Sequence, residues 1–285
     1  MPRLGIPHRH KALFIAVGAG MLVVLGGIAA MVILLSGAYS TAATKQHFWI
    51  TYRLLEVGLR FSVSAAADEI TVPDLERVAD LNEGVACYRE HCVQCHGAPG
   101  VPPGALAMGE LPSPSSLPQS AREWPEAELY FVVQKGIRMS GMPAWEYRIS
   151  DDALWSTVAF IKAMPFQTRE SYERMAQASA DARCPKPNTA QPYSLEAAQI
   201  TFRQYACDTC HMMADMVGPN THVGPPLTQF YRRKFIGGVL PNTHDNLVRW
   251  IMDPQAISPH SLMPNLGVTE PHARTMAQYL LQQSE

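Results

Sequence analysis

At 285 residues the chain has room for one large domain or two small ones, and 47% hydrophobic with 17% charged residues excludes an intrinsically disordered chain. The net charge of −2 divides unevenly: residues 1–11 carry +3, residues 68–164 carry −7, and residues 165–285 balance ten Lys/Arg against ten Asp/Glu. A globular part that is acidic or neutral excludes nucleic-acid binding.

The first element is an apolar run, with no charged residue from Ala12 to about Ser36. About 20 apolar residues let a helix cross a bilayer core, whereas a secretory signal has an apolar stretch of only about 7–15. Residues 1–40 therefore read as a cytoplasmic tip and a transmembrane anchor, with cleavage near the small residues Ala42 and Ala43 left open. Arg3, Arg9 and Lys11 precede the span, and positive flanks stay in the cytoplasm. Everything after residue 40 then lies across the membrane, although Lys45, Arg53 and Arg60 pull weakly the other way. For a bacterium this means a single-pass protein of the inner membrane with its bulk on the periplasmic side.

Residues 41–72 form an amphipathic connecting segment. Arg53, Glu56 and Arg60 share one helical stripe, while Phe48, Trp49, Tyr52, Leu55 and Leu59 occupy much of the remaining surface. A helix apolar over most of its circumference needs cover. Membrane lipid at the interface, a partner subunit or the chain's own domain can each supply it.

From residue 73 to 164 a first unit reads as follows. A helical pattern with Leu75, Val78, Leu81 and Val85 leads into Cys92-x-x-Cys95-His96. Proline-rich loops follow, then a helix that starts at Pro125 and closes at Gly136. The loop "SGMPAW" comes next, and a helix from Ser150 whose first turn holds Asp151 and Asp152. Residues 165–193, with Pro185, Pro187 and Pro192, read as a linker. Residues 194–285 then repeat the order: a helix from Ser194, Cys207-x-x-Cys210-His211, loops, a helix near 246–252, "SLMPNLG" and a last helix from about Glu270. His96 precedes Met142 by 46 residues and His211 precedes Met263 by 52, so the chain is a tandem duplication of one small all-α unit.

Cys-x-x-Cys-His is the attachment signal of a c-type haem. Two thiols one helical turn apart add to the two vinyl groups of the porphyrin, and the next residue, a histidine, is held beneath the ring to ligate iron. Zinc is the competing metal and needs four ligands in a tetrahedron. Pooling the motifs gives four cysteines, but a histidine at the same offset twice fits haem better. The prediction is two covalently bound haem c groups, on Cys92 and Cys95 and on Cys207 and Cys210, with His96 and His211 as axial ligands.

Both halves resemble class I cytochrome c domains, over 73–164 and 194–283. The shared order is an N-terminal helix entering the haem motif, a proline-rich loop, a methionine from a loop and a C-terminal helix. The resemblance implies that Met142 and Met263 are the distal axial ligands. Thioether sulfur is a soft ligand that raises the potential, and each of these methionines stands before a proline. Met108 and Met139 in the first half, and Met212, Met213, Met216 and His222 in the second, are the rivals. "VGPPL" resembles the family's Gly-Pro loop, which implies that the Pro225 carbonyl accepts a hydrogen bond from His211; "GVPPG" makes Pro102 the nearest equivalent for His96. Cys87 and Cys184 remain, either disulfide-bonded to each other or free and buried. His222, His244, His260 and His272 read as surface or loop residues.

An iron with both axial positions filled favours electron transfer over catalysis, and no phosphate loop, nucleophile elbow or metalloprotease helix occurs. Two haems on one tether form a relay of single electrons. The basic cluster Arg232, Arg233 and Lys234 and the acidic first unit suggest docking surfaces of opposite sign. The stretch "GGVLPNTHDNLVRWIMDPQAISPHSLMPNLGV" resembles cytochrome c domains associated with bacterial haem–copper terminal oxidases. That likeness implies a subunit or donor of such an oxidase, partnered by subunits of the oxidase or of another respiratory complex, with a soluble cytochrome c as a donor. The alternatives are the electron-accepting cytochrome subunit of a periplasmic dehydrogenase and a dihaem peroxidase.

Overall fold

The computed structural model describes residues 8–186, 193–219 and 223–282. Arg3, Pro187, Pro192 and His222, all named above, lie outside the described residues. Helix α1 runs His8–Leu35, and its stretch Phe14–Leu35 has a mean hydropathy of 2.5 with none of it buried against the protein. At about 1.5 Å per residue these 22 residues match a bilayer core of about 30 Å, which is consistent with a membrane anchor.

Helix α2, Trp49–Ala67, is separate from α1. Its C-terminal half docks on the first unit. Val63 and Ala67 are buried, Arg60 pairs with Glu123 at 2.8 Å, and the Arg60 guanidinium lies 4.0 Å from the centre of the Trp124 ring. The N-terminal half keeps Trp49 73% exposed, with Ile50, Tyr52, Leu54 and Leu55 also open. Packing on its own domain thus covers only half of this helix.

The first unit contains α3 (Leu75–Val78), α4 (Leu81–His91), α5 (Val93–His96), α6 (Ala105–Met108), α7 (Leu117–Glu123), α8 (Glu126–Lys135), α9 (Asp151–Ala163) and α10 (Arg169–Ala178). Caps fix the helix starts. Asp80 Oδ1 accepts from the backbone N–H groups of Asn82 and Glu83 at the head of α4, and Ser150 Oγ from Ala153 at the head of α9. The core is the crossing of α4 over α9, where a Cβ at Gly84 would stand 2.2 Å from the Ser156 carbonyl oxygen. Only a residue without a side chain lets the two backbones meet there. One turn on, Tyr88 and Phe160 pack edge to face at 5.1 Å, both fully buried.

The segment expected as a linker behaves differently over its first half. Helix α10 packs on α4, with Tyr172 buried near Phe160. Arg89 of α4 donates to the carbonyls of Ala176, Ser179 and Ala180, and so closes the C-terminal end of α10. Cys87 and Cys184 form a disulfide, and both sit in the first hydrophobic core. The first core therefore extends past residue 164 to Cys184, because the bridge and the Arg89 cap hold that stretch against α4.

The second unit contains α11 (Leu195–Gln204), α12 (His244–Met252), α13 (Pro254–Ile257) and α14 (Glu270–Gln282). It also has one short antiparallel ribbon, β1 (Phe235–Ile236) with β2 (Leu240–Pro241), in register Ile236↔Leu240. The ribbon is a small exception within an all-α fold. Helix α11 crosses α14 as α4 crosses α9, with Phe202 and Tyr279 edge to face at 5.4 Å. Ala198, fully buried, occupies the place of Gly84. Tyr88 precedes Cys92 by four positions, but Phe202 precedes Cys207 by five. The extra residue is taken up at Ala206, whose φ of 53° lies in the left-handed region.

Candidate haem sites

In the first unit α4 runs almost directly into α5, so the motif is one continuous turn. The Cys92 carbonyl accepts from the N–H groups of Cys95 (3.0 Å) and His96 (2.9 Å), which sets the two thiols one turn apart. Neither thiol is in a disulfide. Burial, with the neighbouring Cys95, pushes the Cys92 thiol up to about 12, so it is neutral at physiological pH. Tyr88 donates from its hydroxyl to the Gly97 carbonyl at 2.5 Å, tying the residue after the motif back to α4.

The His96 Nδ1 lies 2.9 Å from the Ser115 carbonyl oxygen. The expectation for Pro102 is therefore corrected. Residues 97–104 fold back under the motif through the Ala98↔Val101 bridge and a bond from Gly104 N–H to the Gln94 carbonyl. That turn is tight enough that a Cβ at Gly97 would stand 2.5 Å from the Val101 carbonyl oxygen, and the carbonyl that reaches His96 comes from the next loop. The Met142 loop closes on itself just beyond α8: the Ile137 N–H donates to the Met142 carbonyl, and Ser140 Oγ accepts from Met142 N–H at 3.3 Å. Met142 is half-buried and packs on the first core. Its rival Met139 is 94% exposed, and Met108 is exposed too.

The second motif is a 3-10 turn, Cys207–Thr209, with the same bonds: the Cys207 carbonyl accepts from Cys210 N–H (3.3 Å) and His211 N–H (3.0 Å). Burial and the Asp208 carboxylate push the Cys207 thiol up to about 12. His211 Nδ1 lies 2.8 Å from the Pro225 carbonyl oxygen. The loop carrying Pro225 is tied by Gly224 N–H to the Cys210 carbonyl and by Leu227 N–H to the Met212 carbonyl. Gly224 lies so close to the imidazole that a Cβ there would be 2.4 Å from its Cε1 atom. Arg233 donates to the Pro226 carbonyl and lies 5.0 Å from the Phe230 ring centre, so part of the basic cluster serves the loop behind His211. Beside this histidine an open cleft is lined by Asp208, Met212, Met213, Met216, Gly218 and Pro219.

Met263 is half-buried, and its N–H donates to Ser261 Oγ at 3.2 Å. Met213, 7% exposed, belongs to the second core, and Met216 packs against it. Sequence reasoning quoted both "SGMP" and "SLMP" without using their serines. Ser140 and Ser261 stand two residues before each methionine and make the same turn, and the shared Ser-x-Met-Pro pattern was the available signal.

These residues fit a covalently held haem. Each motif offers two unpaired thiols on one turn. Each histidine has Nδ1 bound to a carbonyl, while Nε2 has no partner among the described residues. No three His, Cys, Asp or Glu side chains converge to hold a bare metal ion among the described residues, which disfavours the pooled zinc site.

Comparison with known proteins places the first unit. Residues 79–161 match the family of cytochrome c oxidase, cbb3-type, subunit III. A relative, cytochrome c oxidase subunit 2 of Alkalihalophilus pseudofirmus, is 38% identical over 63 residues, 22% of this chain and 18% of that protein. The chain thus spans less than a fifth of that relative's length. A solved Kuenenia stuttgartiensis reducing HAO-like protein complex covers 74% of this chain and 98% of its own, at 18% identity and a TM-score of 0.27, too loose a superposition to carry an argument. Fold, motif and match agree for the first unit: residues 79–161 are similar to c-type cytochromes of the cbb3 oxidase subunit III family.

Proposed function

We propose that the chain is a membrane-anchored dihaem cytochrome c that relays single electrons as a subunit or donor of a respiratory haem–copper terminal oxidase. The haem units face the periplasm, the first haem held by Cys92 and Cys95 between His96 and Met142, the second by Cys207 and Cys210 between His211 and Met263. One observation carries the dihaem reading. Both units have the same hydrogen-bond pattern at three points: the first cysteine's carbonyl, the histidine Nδ1 and the methionine N–H. The oxidase assignment is supported by the family match and by the oxidase-subunit relative.

Haem, when bound, supplies one-electron iron chemistry whose potential the axial ligands tune. The residues of the chain do the rest. A carbonyl at Nδ1 fixes the imidazole's tautomer and raises the basicity of Nε2. The serine at each methionine N–H shapes the loop that presents the sulfur. Were Met142 and Met263 to join His96 and His211 in holding the irons, the chain's own side chains would fill the positions a substrate needs, and the group would supply electron transfer only.

The mass of the denatured polypeptide tests the haem count. Two haem increments are expected, falling to one in Cys207→Ala/Cys210→Ala, and a single increment in the wild-type chain overturns the reading. Gentle solubilisation of the membrane tests the partner: copper and further haem types should accompany the chain, and a flavin or quinone-cofactor dehydrogenase in their place refutes the oxidase assignment.

A further inference from the structure

The two hydrophobic cores share no residue. Contact between the units is made by a short turn, Trp145–Arg148, which follows the Met142 loop. It belongs firmly to the first unit, since the N–H groups of Trp145 and Glu146 both donate to the Gln134 carbonyl on α8. Facing the other way, Arg148 Nη2 donates to the carbonyl of Gln204, the last residue of α11, at 3.1 Å. His272 on α14 completes the contact: it lies beside the Tyr147 backbone, and its Nδ1 is 2.9 Å from the Tyr205 hydroxyl. The sequence placed His272 among surface or loop histidines; it is half-buried at this seam.

These residues join the two haem motifs end to end. His91 immediately precedes Cys92, and its ring lies 4.7 Å from that of Trp145. From Trp145 the backbone runs to Tyr147, then across to His272 and on to Tyr205. The Tyr205 carbonyl oxygen is 3.9 Å from Cys207 Sγ. An imidazole in its neutral form has one donor and one acceptor nitrogen, and one of the two meets the Tyr205 hydroxyl. Burial, helped by the Arg148 charge, holds His272 below the ordinary imidazole value and so in that form.

We propose that the Trp145–Arg148 turn, His272 and Tyr205 form the inter-haem junction, which seats the second unit on the first and sets the rate of electron exchange between them. This inference rests on the dihaem reading above. The exchange moves one electron from the reduced unit to the oxidised one, with no bond broken and no proton passed. Arg148, Tyr205 and His272 act as positioning residues. Because the cores are separate, a few polar bonds decide the relative placement, and removing one has leverage over both distance and orientation.

The test uses the full-length detergent-solubilised protein with His272→Ala, His272→Gln and Arg148→Ala. Three readouts are taken: haem increments by mass, X-ray scattering of the intact particle, and electron equilibration between the haems after flash reduction. His272→Ala and Arg148→Ala should keep both haems yet show an extended particle and slow equilibration on the order of tenfold, the shift in docked population that lost hydrogen bonds of this kind bring. His272→Gln, which can still donate and accept, should restore most of both. Wild-type dimensions and rate in His272→Ala and Arg148→Ala overturn the junction. A wild-type chain with one haem overturns the dihaem reading instead, and with it the exchange, while scattering still decides whether these residues seat the units.

Discussion

In the first unit Gly84 lets α4 lie directly on the backbone of α9; in the second, Ala198 stands at the equivalent crossing of α11 and α14. The differences continue around each site. His96 is braced by the Ser115 carbonyl and His211 by that of Pro225. The first motif is an α-helical turn, the second a 3-10 turn entered through a left-handed alanine. A disulfide and α10 reinforce the first unit, while the loop behind His211 relies on Arg233 and a close-packed Gly224. The comparison teaches that the thiol spacing, the carbonyl at Nδ1 and the serine at the methionine N–H are what the two sites hold in common, and that the scaffold supplying them is free to vary.

The strongest way to break the comparison is to remove the reinforcement that only one unit has. Cys184→Ser opens a bridge between residues 97 positions apart and should cost about 2–5 kcal/mol. Calorimetry of the haem-loaded protein should show the first unit's transition falling while the second unit's stays in place. Equal losses in both would mean that the units unfold as one body.

Next come the helix crossings. Gly84→Ala forces a methyl group against the Ser156 carbonyl and should destabilise the first unit by about 1–3 kcal/mol through overpacking. Ala198→Gly should weaken the second by about 1–2 kcal/mol for the opposite reason, a lost buried methyl and a freer unfolded backbone. Denaturant midpoints read for each haem separately check both. If Ala198→Gly is neutral, α11 and α14 close up where α4 and α9 already touch.

The smallest effect sharpens the likeness between the sites. Ser140→Ala and Ser261→Ala each remove one hydrogen bond worth about 1 kcal/mol. The expected result is a weakened methionine–iron absorption band confined to the matching haem. An unchanged band in both variants would leave the serines with no part in holding the sulfur.

Much of this was legible without coordinates, and for a local reason. The spacing of Cys92, Cys95 and His96, and of Cys207, Cys210 and His211, lies within one turn of chain, so covalent geometry alone puts those groups together. Helix starts at Ser150 and Ser194, and the stop at Gly136, are likewise set by neighbours in sequence. The apolar length of the anchor needs only a residue count. What depended on the tertiary structure were pairings between distant segments. Pro102 and Ser115 are both loop residues with a free carbonyl, and only the fold-back of residues 97–104 decides which one reaches His96. The bridge from Cys87 to Cys184, the docking of half of α2, and the burial of His272 between Tyr147 and Tyr205 share that character. Each is a contact between side chains or carbonyls far apart in the chain, chosen by how helices pack and how loops close, and no local pattern of residue types records that choice.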